Sequence, residues 1–161
     1  MNRYVFATPL ICAALLVASA WTSAGQPLPN ADASPAVPFA PCPKAPNCAA
    51  SISDTVAERP DRLVKPLQGG STREESHINL ASVLDELPRV TWESHDASRL
   101  HAVFTSRLMR FRDDVAFWLH EDGRIDVRSA SRVGYWDMGA NERRIEMLRE
   151  KLDAAAQQHA Q

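Results

Sequence analysis

Four consecutive stretches of this chain alternate apolar and polar side chains with a period of two, and short turns separate them. Val90-Thr91-Trp92-Glu93-Ser94-His95 is the first, and Asp96-Ala97-Ser98 reads as the turn after it. In the second, Leu100, Ala102 and Phe104 alternate with His101, Val103 and Thr105, and the pattern continues to Arg107 and Leu108. In the third, Val115, Phe117 and Leu119 alternate with Asp114, Ala116 and Trp118. Glu121-Asp122-Gly123 has the composition of a three-residue hairpin loop, with Gly123 able to take positive φ. Ile125 and Val127 then alternate with Asp126 and Arg128. A period of two sends successive side chains to opposite faces of a sheet, and connections this short join antiparallel neighbours. The segment therefore predicts an antiparallel meander with one apolar face.

Helical patterns flank the meander. Ser71-Thr72-Arg73-Glu74 offers a capping box, in which Ser71 would bond the Glu74 amide. Leu80, Val83, Leu84 and Leu87 follow at helical spacing, and Pro88 ends the run. A second helix is expected from Asn141 to Ala155, capped by Asn141 or Asp137, with Ile145, Leu148 and Leu152 as its apolar stripe. The expected fold is α+β: a two-layer sandwich of a four-stranded antiparallel meander with two helices packed on one face. The other face carries the charges and must meet solvent, a ligand or a partner. Before the first helix the pattern is weak, with one short strand expected near Leu63-Val64-Lys65.

The N-terminus has the form of an export signal. Arg3 precedes an apolar run from Val5 to Ala20, and small residues at Ala18 and Ala20, or at Thr22 and Ala24, suit cleavage. The run is short for a membrane span, which needs about 20 residues, so an uncleaved anchor is the second reading. Cys12 lies within this run and lacks the small residue that precedes a lipoprotein cysteine. The expected organisation is a signal over residues 1–24, a proline-rich linker over 25–40, one domain over 41–155 and a disordered tail over 156–161. Such a chain would be exported to the periplasm or cell envelope and would meet a membrane only through an uncleaved N-terminus. In an oxidising compartment Cys42 and Cys48 read as a disulfide. Free thiols or a redox pair are the alternatives, although the spacing is not that of a Cys-x-x-Cys motif.

The net charge is −2, one unit more negative once a leader carrying Arg3 is removed. This argues against nonspecific nucleic-acid binding, which needs a basic face to displace counterions. The histidines show no metal-ligand spacing, and no glycine-rich phosphate loop or Gly-x-Ser-x-Gly elbow is present. No cofactor and no metal are expected. His120 is expected on the solvated hairpin turn.

A three-residue loop fixes the register of the last hairpin. Trp118 then faces Asp126, Ala116 faces Arg128, and Asp114 faces Ala130. Asp114 lies diagonally between Arg128 and Arg132, within an arginine's reach. Two arginines around one carboxylate leave a positive charge over, and guanidinium forks bind carboxylate or phosphate. Arg107, Asp114, Arg128 and Arg132 are thus a candidate anion site; the plain alternative is a solvated ion-pair ladder. Asp113 falls on the opposite face, level with Ser129 and Ser131. It is either a buried polar tie to the second helix or a general base in a cleft with Tyr135 and Asn141. Gly134 and Gly139 bracket Tyr135-Trp136-Asp137-Met138, a loop able to close over a ligand or simply to connect strand to helix.

Three segments together resemble a known family. They are Pro41-Cys42-Pro43-Lys44-Ala45-Pro46-Asn47-Cys48, Phe111-Arg112-Asp113-Asp114-Val115-Ala116-Phe117, and Val127 to Tyr135 continuing through Asn141-Glu142-Arg143-Arg144-Ile145. In this order they are similar to the bacterial and plastid family named "domain of unknown function 1499", over about Pro41 to Leu152. The resemblance implies a small envelope or lumen-type domain and assigns no activity, ligand or catalytic residue. Ala116 stands where that family often has an acid, so a catalytic role for such an acid does not carry over. Two functions are compatible with the residues. One is a non-catalytic binding module for an anionic small molecule, a lipid headgroup or an envelope protein. The other is an envelope hydrolase using Asp113, Tyr135 and Asn141 on an anionic substrate.

Overall fold

The computed structural model describes residues 39–159. The expected signal, most of the expected linker and the last two residues lie outside the described residues.

The alternating segments form strands β3 (Val90–Asp96), β4 (Arg99–Thr105), β5 (Arg112–Leu119) and β6 (Arg124–Ser131), each antiparallel to the next. The register is the one that the hairpin loop dictates, with Trp118 opposite Asp126, Ala116 opposite Arg128 and Asp114 opposite Ala130. Gly123 takes φ +79° in that loop.

The sheet has six strands rather than four. Strand β1 (Cys48–Ala50) pairs with Arg128–Ala130, and β2 (Leu67–Gln68) pairs with Arg124–Ile125, both antiparallel to β6 along its second edge. Leu63 itself makes only an isolated parallel bridge to Ala50. Pieces of two and three residues are too short to show alternation. They pair because the open edge of β6 would otherwise leave its amides and carbonyls without partners. Between them run two short 3-10 turns, Ser53–Val56 and Pro60–Arg62.

Helix α1 (Arg73–Glu86) starts one residue later than the expected box. The Thr72 hydroxyl accepts from the Glu75 amide, while the Glu75 carboxylate accepts from the Ser71 amide at 2.8 Å. Helix α2 spans Ala140–His159 and so passes the expected end at Ala155. The segment Ala154-Ala155-Ala156-Gln157-Gln158 is rich in strong helix formers and contains no breaker.

One core joins the helices to the sheet. Leu80, Val83 and Leu84 of α1 and Ile145, Leu148 and Leu152 of α2 share a buried cluster with Leu100, Ala102, Phe104, Val115, Phe117, Ile125 and Val127. A smaller cluster of Cys42, Cys48, Ala50, Val56 and Ala130 forms around the Cys42–Cys48 disulfide. Ala50 and Cys48 oppose Arg128 and Ala130 across the β1–β6 pair, so this cluster covers that end of the charged face.

Candidate functional site

The charged face of the sheet carries a ladder of paired groups. Asp114 on β5 lies beside His101 on β4 and near the end of β6. Its carboxylate accepts two bonds from the Arg132 guanidinium, from Nε and Nη2, both at 2.8 Å. His101 Nε2 lies 3.0 Å from Oδ1 of the same carboxylate, and Glu93 lies 3.9 Å from the other imidazole nitrogen. The Arg132 bonds hold Asp114 below the usual carboxylate range, against the opposing effect of burial. The same pair raises Arg132.

Arg128 is held differently. Its guanidinium donates to the Pro41 carbonyl at 3.3 Å, and its buried Nε has no partner. Burial pushes its pKa down, and the charge of Asp114 only partly opposes this. The two arginines foreseen around Asp114 therefore separate: Arg132 takes the carboxylate, and Arg128 stays half-buried without one. Arg107 does not join them. Strand β4 ends at Thr105, and Arg107 and Leu108 fall in the exposed turn that follows. Leu108 is 87% exposed, because the chain reverses there rather than continuing the strand.

Asp113 points into the fold, 7% exposed, and forms an ion pair with Arg144 of α2. Arg144 also donates from Nη1 to Asn141 Oδ1 (2.7 Å) and Ser129 Oγ (2.9 Å), and it stacks over the Phe104 ring at 5.0 Å. Ser129 Oγ donates to Asn141 Oδ1 at 2.6 Å. Asn141 Nδ2 donates to Asp137 Oδ2 (2.7 Å) and to the Asn47 carbonyl (2.8 Å). Asn47 Nδ2 in turn donates to the Gly134 carbonyl at 2.6 Å. Burial raises the Asp137 carboxyl, but the Asn141 and Gly139 amides outweigh it and leave its pKa lowered. The network fastens β1, β5, β6, the β6–α2 loop and α2 to one another.

The cleft expected from Asp113, Tyr135 and Asn141 does not assemble. Asp113 and Asn141 are buried and linked through Arg144, whereas Tyr135 is 75% exposed in the β6–α2 loop. Arg144, one turn beyond Asn141, holds the Asp113 carboxylate instead. Asp126, 3% exposed, is a further buried carboxylate, held by His120 (2.7 Å), Arg124 (3.1 Å) and Ser51 (2.8 Å). His120 is thus packed against an acid instead of standing in solvent.

Chemically, the outer ladder combines a fixed carboxylate, an imidazole and a guanidinium with a second guanidinium beside it. Among the described residues no serine, threonine or cysteine side chain is hydrogen-bonded to His101. Guanidinium groups in such an arrangement can donate forked hydrogen bonds to a carboxylate, as Arg132 does to Asp114.

Fold and clusters together define a disulfide-bonded α+β domain with a mostly antiparallel six-stranded sheet and two helices. The chain belongs to the family described as "Protein of unknown function (DUF1499)", whose family model matches residues 38–152. No curated protein and no solved structure matches the chain.

Proposed function

We propose that this chain is an exported envelope domain that works by binding an anionic group, not by catalysis, and that Arg128 and Arg132 form the binding edge. The observation that carries the reading is Arg128: a half-buried guanidinium with one unpartnered buried donor and no carboxylate of its own. A desolvated cation with free donors is costly to keep unless something charged completes it. Asp114 acts on Arg128 only through its charge, and its hydrogen bonds go to Arg132 and His101 instead. An incoming carboxylate or phosphate would accept from Arg128 and from the exposed edge of Arg132 in the forked geometry that guanidinium favours. Export is supported by the leader-like N-terminus and by the disulfide. The test is calorimetric titration with inorganic phosphate. Arg128→Ala combined with Arg132→Ala should abolish binding while the domain still melts cooperatively. Loss of cooperative folding in the double variant would make the two arginines structural and overturn the reading.

A further inference from the structure

Two loops at one end of the sheet combine exposed apolar bulk with unpaired arginines. They leave adjacent strand ends: the Arg132 amide donates to the Arg112 carbonyl at 3.1 Å, and Asp113 pairs with Ser131. The β4–β5 turn exposes Leu108, Met109 and Phe111, and the β6–α2 loop exposes Tyr135, Trp136 and Met138. A cluster of large apolar tips, unlike a single stray one, marks an interaction surface. Arg107 and Arg110 are exposed on the first loop, and Arg112 is exposed at the start of β5. Arg89, also exposed, joins them because the Thr105 amide donates to its carbonyl at 3.0 Å. The acids at this end are already engaged: Asp113 by Arg144, Asp114 by Arg132 and His101, Asp137 by Asn141 and Gly139, and Glu142 by Arg62. Among the described residues these four guanidinium groups have no carboxylate within 4.0 Å.

The backbone adds a second observation. Among the described residues the non-glycine positions with positive φ are Arg89 (62°), Arg110 (57°) and Met138 (54°), and all three lie at this end. The left-handed region is strained for side chains with a Cβ, and glycine would relieve it. Residues held in such conformations cluster at ligand clamps and other functional sites.

We propose that this end of the domain docks on an anionic lipid bilayer, with Tyr135, Trp136 and the apolar tips in the headgroup layer and the arginines on lipid phosphates. Trp and Tyr suit that layer because each has an apolar body and a polar handle. Arginines near an anionic leaflet are attracted individually. A protein partner would have to set an acid opposite each of four dispersed arginines and desolvate the pairs. A lipid surface offers phosphate everywhere and leaves the guanidinium groups hydrated. This route to the membrane does not depend on whether the N-terminal run is cleaved. It presupposes the binding-module reading but does not use the Arg128 site.

The test uses the full chain with phosphatidylglycerol vesicles, phosphatidylcholine vesicles, and phosphatidylglycerol vesicles carrying brominated lipid. Docking predicts preference for the anionic vesicles and quenching of Trp fluorescence by bromolipid, a quenching that Trp136→Phe removes. Arg107→Gln with Arg112→Gln should weaken partition about 25-fold, roughly fivefold for each charge. Arg110→Gly and Met138→Gly should each hold or raise the melting temperature while lowering vesicle affinity. Arg128→Ala, which removes the phosphate site, should leave vesicle binding intact, so failure of one site is distinguishable from failure of the other. Binding without the Trp136 response would place the contact in the apolar N-terminal run and overturn docking by these loops. Equal binding to neutral and anionic vesicles, or retention of an acidic protein in the absence of any vesicle binding, would overturn it as well.

Discussion

The Arg144 guanidinium closes on the Asp113 carboxylate, joining the second turn of α2 to the start of β5 inside the fold. A buried pair of this kind stabilises little relative to an apolar replacement, but breaking it leaves a bare charge. Arg144→Ala or Asp113→Ala should each destabilise the domain by about 3–5 kcal/mol. Asp113→Ala combined with Arg144→Ala should lose much less than the sum of the two single losses, by a double-mutant cycle in urea. Additive losses would mean that the two residues act separately.

Acid should weaken the fold through Asp114. Its pKa is lowered in the folded state from the ordinary 3.8, so the folded form binds its proton less readily than the unfolded chain. The stabilisation is present above pH 3.8 and is lost as pH falls through the lower folded value. Asp137, also lowered, acts in the same direction. Asp114→Asn should flatten the dependence of melting temperature on pH below 3.8 without removing it, because Asp61, Asp96 and Asp137, all likewise lowered, remain. An unchanged slope in thermal melts would remove Asp114 from the account.

Gly123→Ala should be severe for a one-methyl change. A Cβ there would lie 2.0 Å from the Gly70 carbonyl oxygen, at φ +79°. The left-handed penalty alone is about 1–2 kcal/mol, and the rigid backbone contact adds to it. A loss of at least about 2 kcal/mol in chemical denaturation is expected; a neutral substitution would mean that the loop can shift.

The disulfide should contribute modestly. Cys42 and Cys48 are separated by six positions, and closing so short a loop is worth about 2 kcal/mol by the chain-entropy relation. Cys42→Ser with Cys48→Ser should lower stability by about that amount in denaturant melts. It should also loosen the Pro41 carbonyl that Arg128 holds, visible as faster amide exchange at Thr55 O's donor, the Cys42 amide.

The meander was legible because period two and a glycine-ended loop leave little freedom: the β5–β6 register follows from the three-residue length of the Glu121-Asp122-Gly123 loop. Strands β1 and β2 were not, since two or three residues carry no period and only the open edge of β6 selects them. Asp114 with Arg132 could be read as a diagonal pair, but the separation of Arg128 from it depends on Pro41, far away in sequence. Arg144 did leave a signal. It stands on the same α2 face as Asn141, Ile145 and Leu148, and a cation on an apolar stripe requires a buried acid. Asp113 is the inward acid of β5, so the pair could have been found by matching the two. The loop tips gave no comparable signal, because exposure and positive φ at Arg110 and Met138 are tertiary outcomes.

Anion binding by Arg128 can be read at a single atom. The direct measurement is the Arg128 Nε–Hε resonance, assigned by its loss in Arg128→Lys, during titration with inorganic phosphate. The expected result is a saturable shift of that resonance within concentrations on the order of millimolar, with the Arg59 and Arg99 resonances unmoved because their guanidinium groups already hold Asp61 and Asp96. A resonance that stays fixed, or that drifts in parallel with Arg59 and Arg99, would contradict it.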